Sequence, residues 1–144
     1  MAATIAIYNY YKKFLLDGTD IDLDNDTIKV ALCTSDYTPD IDNHDYFDDI
    51  TDELSGGGYT AGGKTLSNVS LSIDTANDKV KFDADDVTWT DLTATNVRYA
   101  IIYKDTGTAS TSPLIAYVDF GEDKTFSNAD LKITWSANGI FTVE

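Results

Sequence analysis

Cysteine, histidine, methionine, glutamate and basic residues are all scarce in this chain of 144 residues. The single Cys33 excludes an intramolecular disulfide framework and a thiolate zinc cluster. It stands in Ile28-Lys-Val-Ala-Leu-Cys33, where a small apolar residue in a strand is the expected role. A chain of this size without disulfides suits folding in a reducing cytosol. Ten basic residues face 25 acidic ones, giving a formal net charge of −15 and a pI near 4.1. That balance repels phosphate backbones and anionic lipid, so nucleic acid and membrane surfaces are not expected partners. No apolar run approaches the roughly 20 residues that span a bilayer. The first residues have no basic flank, and their apolar stretch breaks at Asn9, so no signal peptide is read there. Only Glu53, Glu122 and Glu144 are glutamates, leaving 22 aspartates among the 25 acids. Aspartate favours turns over helix interiors, and this bias leans away from an α-helical protein.

What is present is a foldable core. Hydrophobic residues make up 42% of the chain, and the length suits one domain over residues 1–144. Ile7, Tyr11, Phe14 and Leu15 form one helical stripe, and Gly18 stands where a helix would stop; a helix is predicted over about residues 5–17. A weaker helical turn is predicted between Tyr46 and Leu54. From about residue 27 onward the pattern alternates. Ile28, Val30 and Leu32 share a face, as do Leu71 and Ile73, Val80 and Phe82, Val87 and Trp89, and Leu131, Ile133 and Trp135. Residues 97–103 and 114–118 are nearly continuously apolar and read as central strands covered on both faces. Turns are expected at Thr75 to Asp78, Gly107 to Pro113, Gly121 to Asp123, Ser127-Asn128 and Asn138-Gly139. The prediction is an all-β, antiparallel, jelly-roll-like β-sandwich with a short N-terminal helix and every strand after residue 26. Its core is expected to include Val30, Leu32, Leu71, Ile73, Phe82, Trp89, Ile101, Val118, Ile133 and Trp135.

Candidate chemistry is thin. Gly58-Tyr-Thr-Ala-Gly-Gly-Lys64-Thr65 fits the spacing of a phosphate-binding loop, but an acidic segment precedes it and a strand pattern follows. Without a helix opening at Lys64-Thr65 the phosphate has no dipole to meet, so the glycines read as a mobile surface loop. Asp20 to Asp26 places acids at alternate positions, yet the sixth and twelfth positions hold Asn25 and Ala31 where a calcium-binding EF-hand needs Gly and Glu. Asp22, Asp24 and Asp26 are kept as candidate ligands of an irregular cation site; an acidic turn feeding the strand at Thr27 is preferred. His44 lies among aspartates and reads as surface. Asp85 and Asp86 have the pairing a glycosidase needs but no specificity among so many aspartates, and both tryptophans fall on the predicted inward face. No catalytic residue, cofactor or enzyme activity is assigned. Tyr8, Tyr10, Tyr11 and Tyr59 are the candidate interface residues, with residues 1–11 expected to be dispensable for the sandwich.

Several segments together carry a resemblance. They are Asp26-Thr-Ile-Lys-Val-Ala-Leu-Cys-Thr-Ser-Asp-Tyr-Thr-Pro39, Gly57-Gly-Tyr-Thr-Ala-Gly-Gly-Lys-Thr-Leu66, Val80-Lys-Phe-Asp-Ala-Asp-Asp-Val-Thr-Trp89 and Arg98-Tyr-Ala-Ile-Ile-Tyr103. Pro113-Leu-Ile-Ala-Tyr-Val-Asp-Phe-Gly121 and Trp135-Ser-Ala-Asn-Gly-Ile-Phe141 extend it over almost the whole chain from about residue 5. As a set they resemble small structural proteins of tailed bacteriophages. The resemblance implies a virion protein made in the bacterial cytoplasm, first of all a head decoration (cement) protein. It would bind the major capsid protein and sit as a homo-oligomer on the capsid surface. A tail, neck or fibre-associated component and a carbohydrate- or receptor-binding module are the alternatives. None of these segments is a catalytic motif, so no functional residue carries over.

Overall fold

The computed structural model describes residues 3–144; Met1 and Ala2 lie outside the described residues. The two nearly continuous apolar runs fall in the two longest strands, β6 (Val87–Lys104) and β7 (Leu114–Ile133), which pair antiparallel along most of their length. Around them stand β1 (Thr4–Ile7), β2 (Ile28–Thr34) and β3 (Lys64–Thr65), in the order β1-β7-β6-β2-β3. A second antiparallel sheet has the order β4-β5-β8, from β4 (Ser70–Asp74), β5 (Lys79–Asp83) and β8 (Phe141–Val143). With helix α1 (Asn9–Asp17) the fold is an all-β sandwich of two unequal sheets and one short N-terminal helix.

Both faces of the large sheet are buried, as the continuous apolar runs predict. On the inner face Val30, Leu32, Ala100, Ile102, Ala116 and Val118 join Phe82, Trp89, Leu131, Ile133 and Phe141 in the sandwich core. On the outer face Ala31, Cys33, Ile101, Tyr103 and Leu114 form a second cluster. It is covered by the acidic segment 35–54, which turns Tyr37, Phe47 and Ile50 inward while its aspartates remain exposed or partly exposed. The weak helical signal in this segment resolves into one 3₁₀ turn, Phe47–Asp49, whose Phe47 ring stacks on Tyr103 with centroids 4.1 Å apart.

Three expectations change. The helix begins at Asn9 rather than near residue 5, because Thr4–Ile7 pairs with β7 as an edge strand, Thr4 opposite Asp119 and Ile7 opposite Ala116. Ile7, counted in the helical stripe, belongs to that strand; β-branched residues beside an open strand edge gain more from the ladder than from extending a short helix. Gly121 and Ser127-Asn128 do not end strands. They lie within β7, where Gly121 (φ 81°) and Asn128 (φ 49°) adopt the left-handed region. The β6–β7 register shifts repeatedly between Trp89 and Tyr99, and Asp91 and Asn96 on β6 are also left-handed. The turn chemistry seen in the sequence is bulge chemistry here. Leu71 and Ile73, expected in the core, are 39% and 77% exposed, and Trp135 is only partly buried.

The burial pattern separates what holds the fold from what does not. Tyr8 is fully buried, and its backbone N–H donates to the Ile115 carbonyl at 3.1 Å. Residues 1–11 are therefore not dispensable, since removing them strips β1 and opens both clusters. In urea titrations followed by circular dichroism, Tyr8→Ala is expected to cost about 3–5 kcal/mol, and Ile73→Ser to stay within about 0.5 kcal/mol. Deletion of residues 1–11 should abolish the cooperative transition.

Candidate functional site

The register of the small sheet produces one apolar face. Leu71 pairs with Phe82 and Ile73 with Val80, while Val80 pairs with Val143 and Phe82 with Phe141. Antiparallel partners point to the same side, so all six apolar side chains share a face. Burial fades along it: Phe82 and Phe141 are buried in the core, but Val80 and Val143 are 37% and 40% exposed, and Ile73 more so. Helix α1 faces this fading end. Its Tyr11 ring meets Phe141 edge-on at 6.0 Å, and Leu15 follows one turn later, half exposed. The loop through Ile21, Asp22 and Leu23 closes the third side, leaving an apolar groove of about 330 Å³. Leu16, 89% exposed, stands beside Leu15 on the helix. Exposed apolar surface of this kind can be buried against a partner.

The expected interface tyrosines are placed differently. Tyr8, Tyr11 and Tyr59 are buried within the chain, so they do not offer contact area to a partner. Tyr10 is half-buried, its ring 5.9 Å from Phe14. Tyr8 and Tyr37 share a hydrogen bond of 2.9 Å between hydroxyls, and the Tyr37 hydroxyl reaches His44 Nδ1 at 2.9 Å. His44 also stacks on the Tyr37 ring, so it latches the acidic segment to the outer core rather than standing free on the surface. Burial pushes the Tyr11 hydroxyl up to about 12, and burial raises those of Tyr8, Tyr37 and Tyr59 as well, so all four stay protonated as neutral packing groups. A tyrosine carries no sequence mark that tells a core ring from an interface ring, so the burial of these rings is not legible before the fold.

Parts of the glycine loop pack closely against neighbouring backbone. A Cβ on Gly57 would lie 2.0 Å from the Thr93 carbonyl oxygen, and one on Gly63 1.8 Å from that of Val30. The loop amide that would cradle a phosphate is already occupied, because Glu53 Oε2 accepts from the Gly62 N–H at 2.7 Å and from the Tyr59 hydroxyl at 2.6 Å. Tyr59 in turn accepts from the Leu32 N–H at 3.0 Å. Lys64 and Thr65 follow as strand β3 beside β2, with no helix N-terminus aimed at the loop.

The candidate cation ligands are engaged in local bonding. Asp26 pairs with Lys104 at 3.0 Å and accepts from the Asp22 N–H, Asp22 accepts from Asp24 N–H and Asn25 Nδ2, and Asp24 accepts from the Leu71 N–H at 3.1 Å. Among the described residues no group of three or more His, Cys, Asp or Glu side chains is disposed to hold a metal ion. The Asp85 and Asp86 carboxylates are likewise engaged locally: Asp85 accepts from Asn68 Nδ2 at 2.6 Å, and Asp86 accepts from the Trp135 N–H at 3.1 Å and pairs with Lys132 at 3.4 Å.

No protein-family model, curated protein or solved structure matches the chain.

The carboxylates divide by environment, which fixes a pH response. Hydrogen bonds from Lys29 and Arg98 hold Asp105 and Asp119 below the usual carboxylate range. Their stabilising contribution is present above the ordinary carboxylate pKa and lost as pH falls through the lowered values. Burial, aided by neighbouring Asp49, raises Asp45, whose contribution is lost as pH rises through its raised value. The net charge of −15 at pH 7 adds self-repulsion that shrinks toward the pI of 4.1. Urea midpoints measured across pH are expected to peak at about pH 4.5–6 and to fall on both sides. A midpoint rising steadily to pH 8 contradicts this balance. At neutral pH, Tyr59→Phe is expected to cost about 1–3 kcal/mol by leaving the buried Leu32 N–H without its acceptor and Glu53 with one donor fewer.

Proposed function

We propose that the chain is a non-enzymatic structural protein of a phage virion, a decoration protein that attaches to the major capsid protein on the head surface. Two things support this reading. One is the near full-length resemblance to structural proteins of tailed phages. The other, which carries it on structural grounds, is the apolar groove between α1 and the small sheet, lined by Leu15, Leu71, Val80 and Val143, with exposed Leu16 and Ile73 on the same helix and sheet. Such a surface binds by burying area, and it is held by a sandwich whose hydroxyl, glycine and carboxylate groups serve packing. Strong negative charge elsewhere on a capsid-bound protein would keep particles apart in solution.

The test is reconstitution. Particles assembled without this chain, mixed with purified protein and imaged by cryo-electron microscopy, are expected to carry it at repeated capsomer positions. Leu16→Asp with Ile73→Asp should reduce that occupancy without lowering the urea midpoint markedly. Density confined to the tail or neck, or none on the particle, overturns the head assignment. A positive glycan screen on the isolated protein with no particle binding would favour a receptor-binding module.

A further inference from the structure

The groove has a chemical signature beyond its apolarity, set by the segment that closes it. Residues 17–26 contain Asp17, Asp20, Asp22, Asp24 and Asp26 and no lysine or arginine. Two of the five are matched: Asp17 pairs with Lys13 at 2.6 Å and Asp26 with Lys104 at 3.0 Å. Asp20 lies at the edge of ion-pair distance from Lys104, 4.0 Å, with its side chain 95% exposed. Asp22, in the groove wall, and Asp24, bonded to the Leu71 N–H at the groove's edge strand, have no ion-pair partner within 4.0 Å among the described residues, though Lys104 lies near enough to act on Asp22. On the opposite side Lys79 is paired with Glu144 at 3.7 Å and stands across from Asp74 in the β4–β5 register.

We propose that this groove binds a short segment of another protein in which apolar side chains alternate with lysine or arginine. The apolar side chains would cover Leu71, Val80, Val143 and Leu15, while the cations meet Asp22 and Asp24 at the wet rim. Charge complementarity selects this occupant over a second copy of the chain. A second copy brings another −15 charges toward the acidic wall and has ten basic residues, six of which are already within 3.5 Å of a carboxylate partner in their own subunit. The inference deepens the attachment reading and rests on it for the premise that the groove is used. The test is run away from the particle, so its failure is distinguishable from failure of the virion assignment.

The probe is a short synthetic peptide of alternating Leu and Lys, titrated into the isotope-labelled full chain and followed by NMR. Two matched peptides serve as controls, one with Glu for Lys and one with Ser for Leu. Shift changes are expected to concentrate at Tyr11, Leu15, Leu71, Val80 and Val143 with the Leu/Lys peptide and to be absent with both controls. Leu71→Ser with Ile73→Ser should weaken binding by about tenfold or more. Asp22→Asn with Asp24→Asn, which keeps acceptor oxygens for the local turn, should weaken it and reduce its dependence on salt. Binding spread over the acidic surface, equal binding of the Ser/Lys peptide, or indifference to both double variants overturns the proposal. So does a concentration-dependent dimer in sedimentation that Leu71→Ser with Ile73→Ser abolishes, since the groove would then belong to a second copy.

Discussion

The antiparallel pairing of β6 with β7 is the constraint on which the rest of the molecule depends. These strands run 18 and 20 residues, far beyond the usual strand length of about 5–6 residues. Their first-paired halves, around Ala100 and Val118, form the centre of the large sheet. Their distal halves, around Trp89 and Leu131, continue the same sandwich core. A flat ribbon of that length could not wrap a core; repeated register shifts let this one bend and twist. Every described non-glycine residue with positive φ is Asp or Asn, and Asp91, Asn96 and Asn128 sit in this ribbon. Part of the aspartate excess is therefore conformational, supplying left-handed backbone, as well as electrostatic.

That double use explains what could and could not be read in the sequence. The central strands, the sandwich class, the Thr75 to Asp78 hairpin and the Asn138-Gly139 turn follow from periodicity and turn chemistry, and all are present. Gly121 and Asn128 carry the same local signal as a turn, and only the partner strand decides whether the chain reverses or bulges. Alternation at Leu71 and Ile73 shows that one face of β4 is apolar, but not how far the opposing sheet extends to cover it. The groove was therefore invisible before the sheets were placed. Its acidic wall is legible as acids at alternate positions, a pattern that suits a cation site equally well because nothing local shows that Asp24 caps a strand edge.

The acidic segment 35–54 is a second case of one sequence feature serving two ends. Its aspartates mark it as solvated, and most of them are at least partly exposed. Yet Tyr37, Phe47, Ile50 and Leu54 turn inward at intervals, and its backbone is tied to β2 through Leu54 N–H to Leu32 O at 2.9 Å. A loop of this kind covers an apolar sheet face without adding a strand, and its outer charge keeps that cover soluble.

The position of β1 has a consequence for how the chain is made. Thr4 finds its partner at Asp119, and Val80 at Val143, so β1 and β5 lie in different sheets that must both wait for partners late in the sequence. Closing loops of that length carries an entropic cost before any contact repays it, so the sandwich belongs among the slower-folding β topologies. Until β7 has left the ribosome, the residues of β1 and Tyr8 have no ladder and no pocket. During that interval the net negative charge is the main deterrent to association between nascent chains.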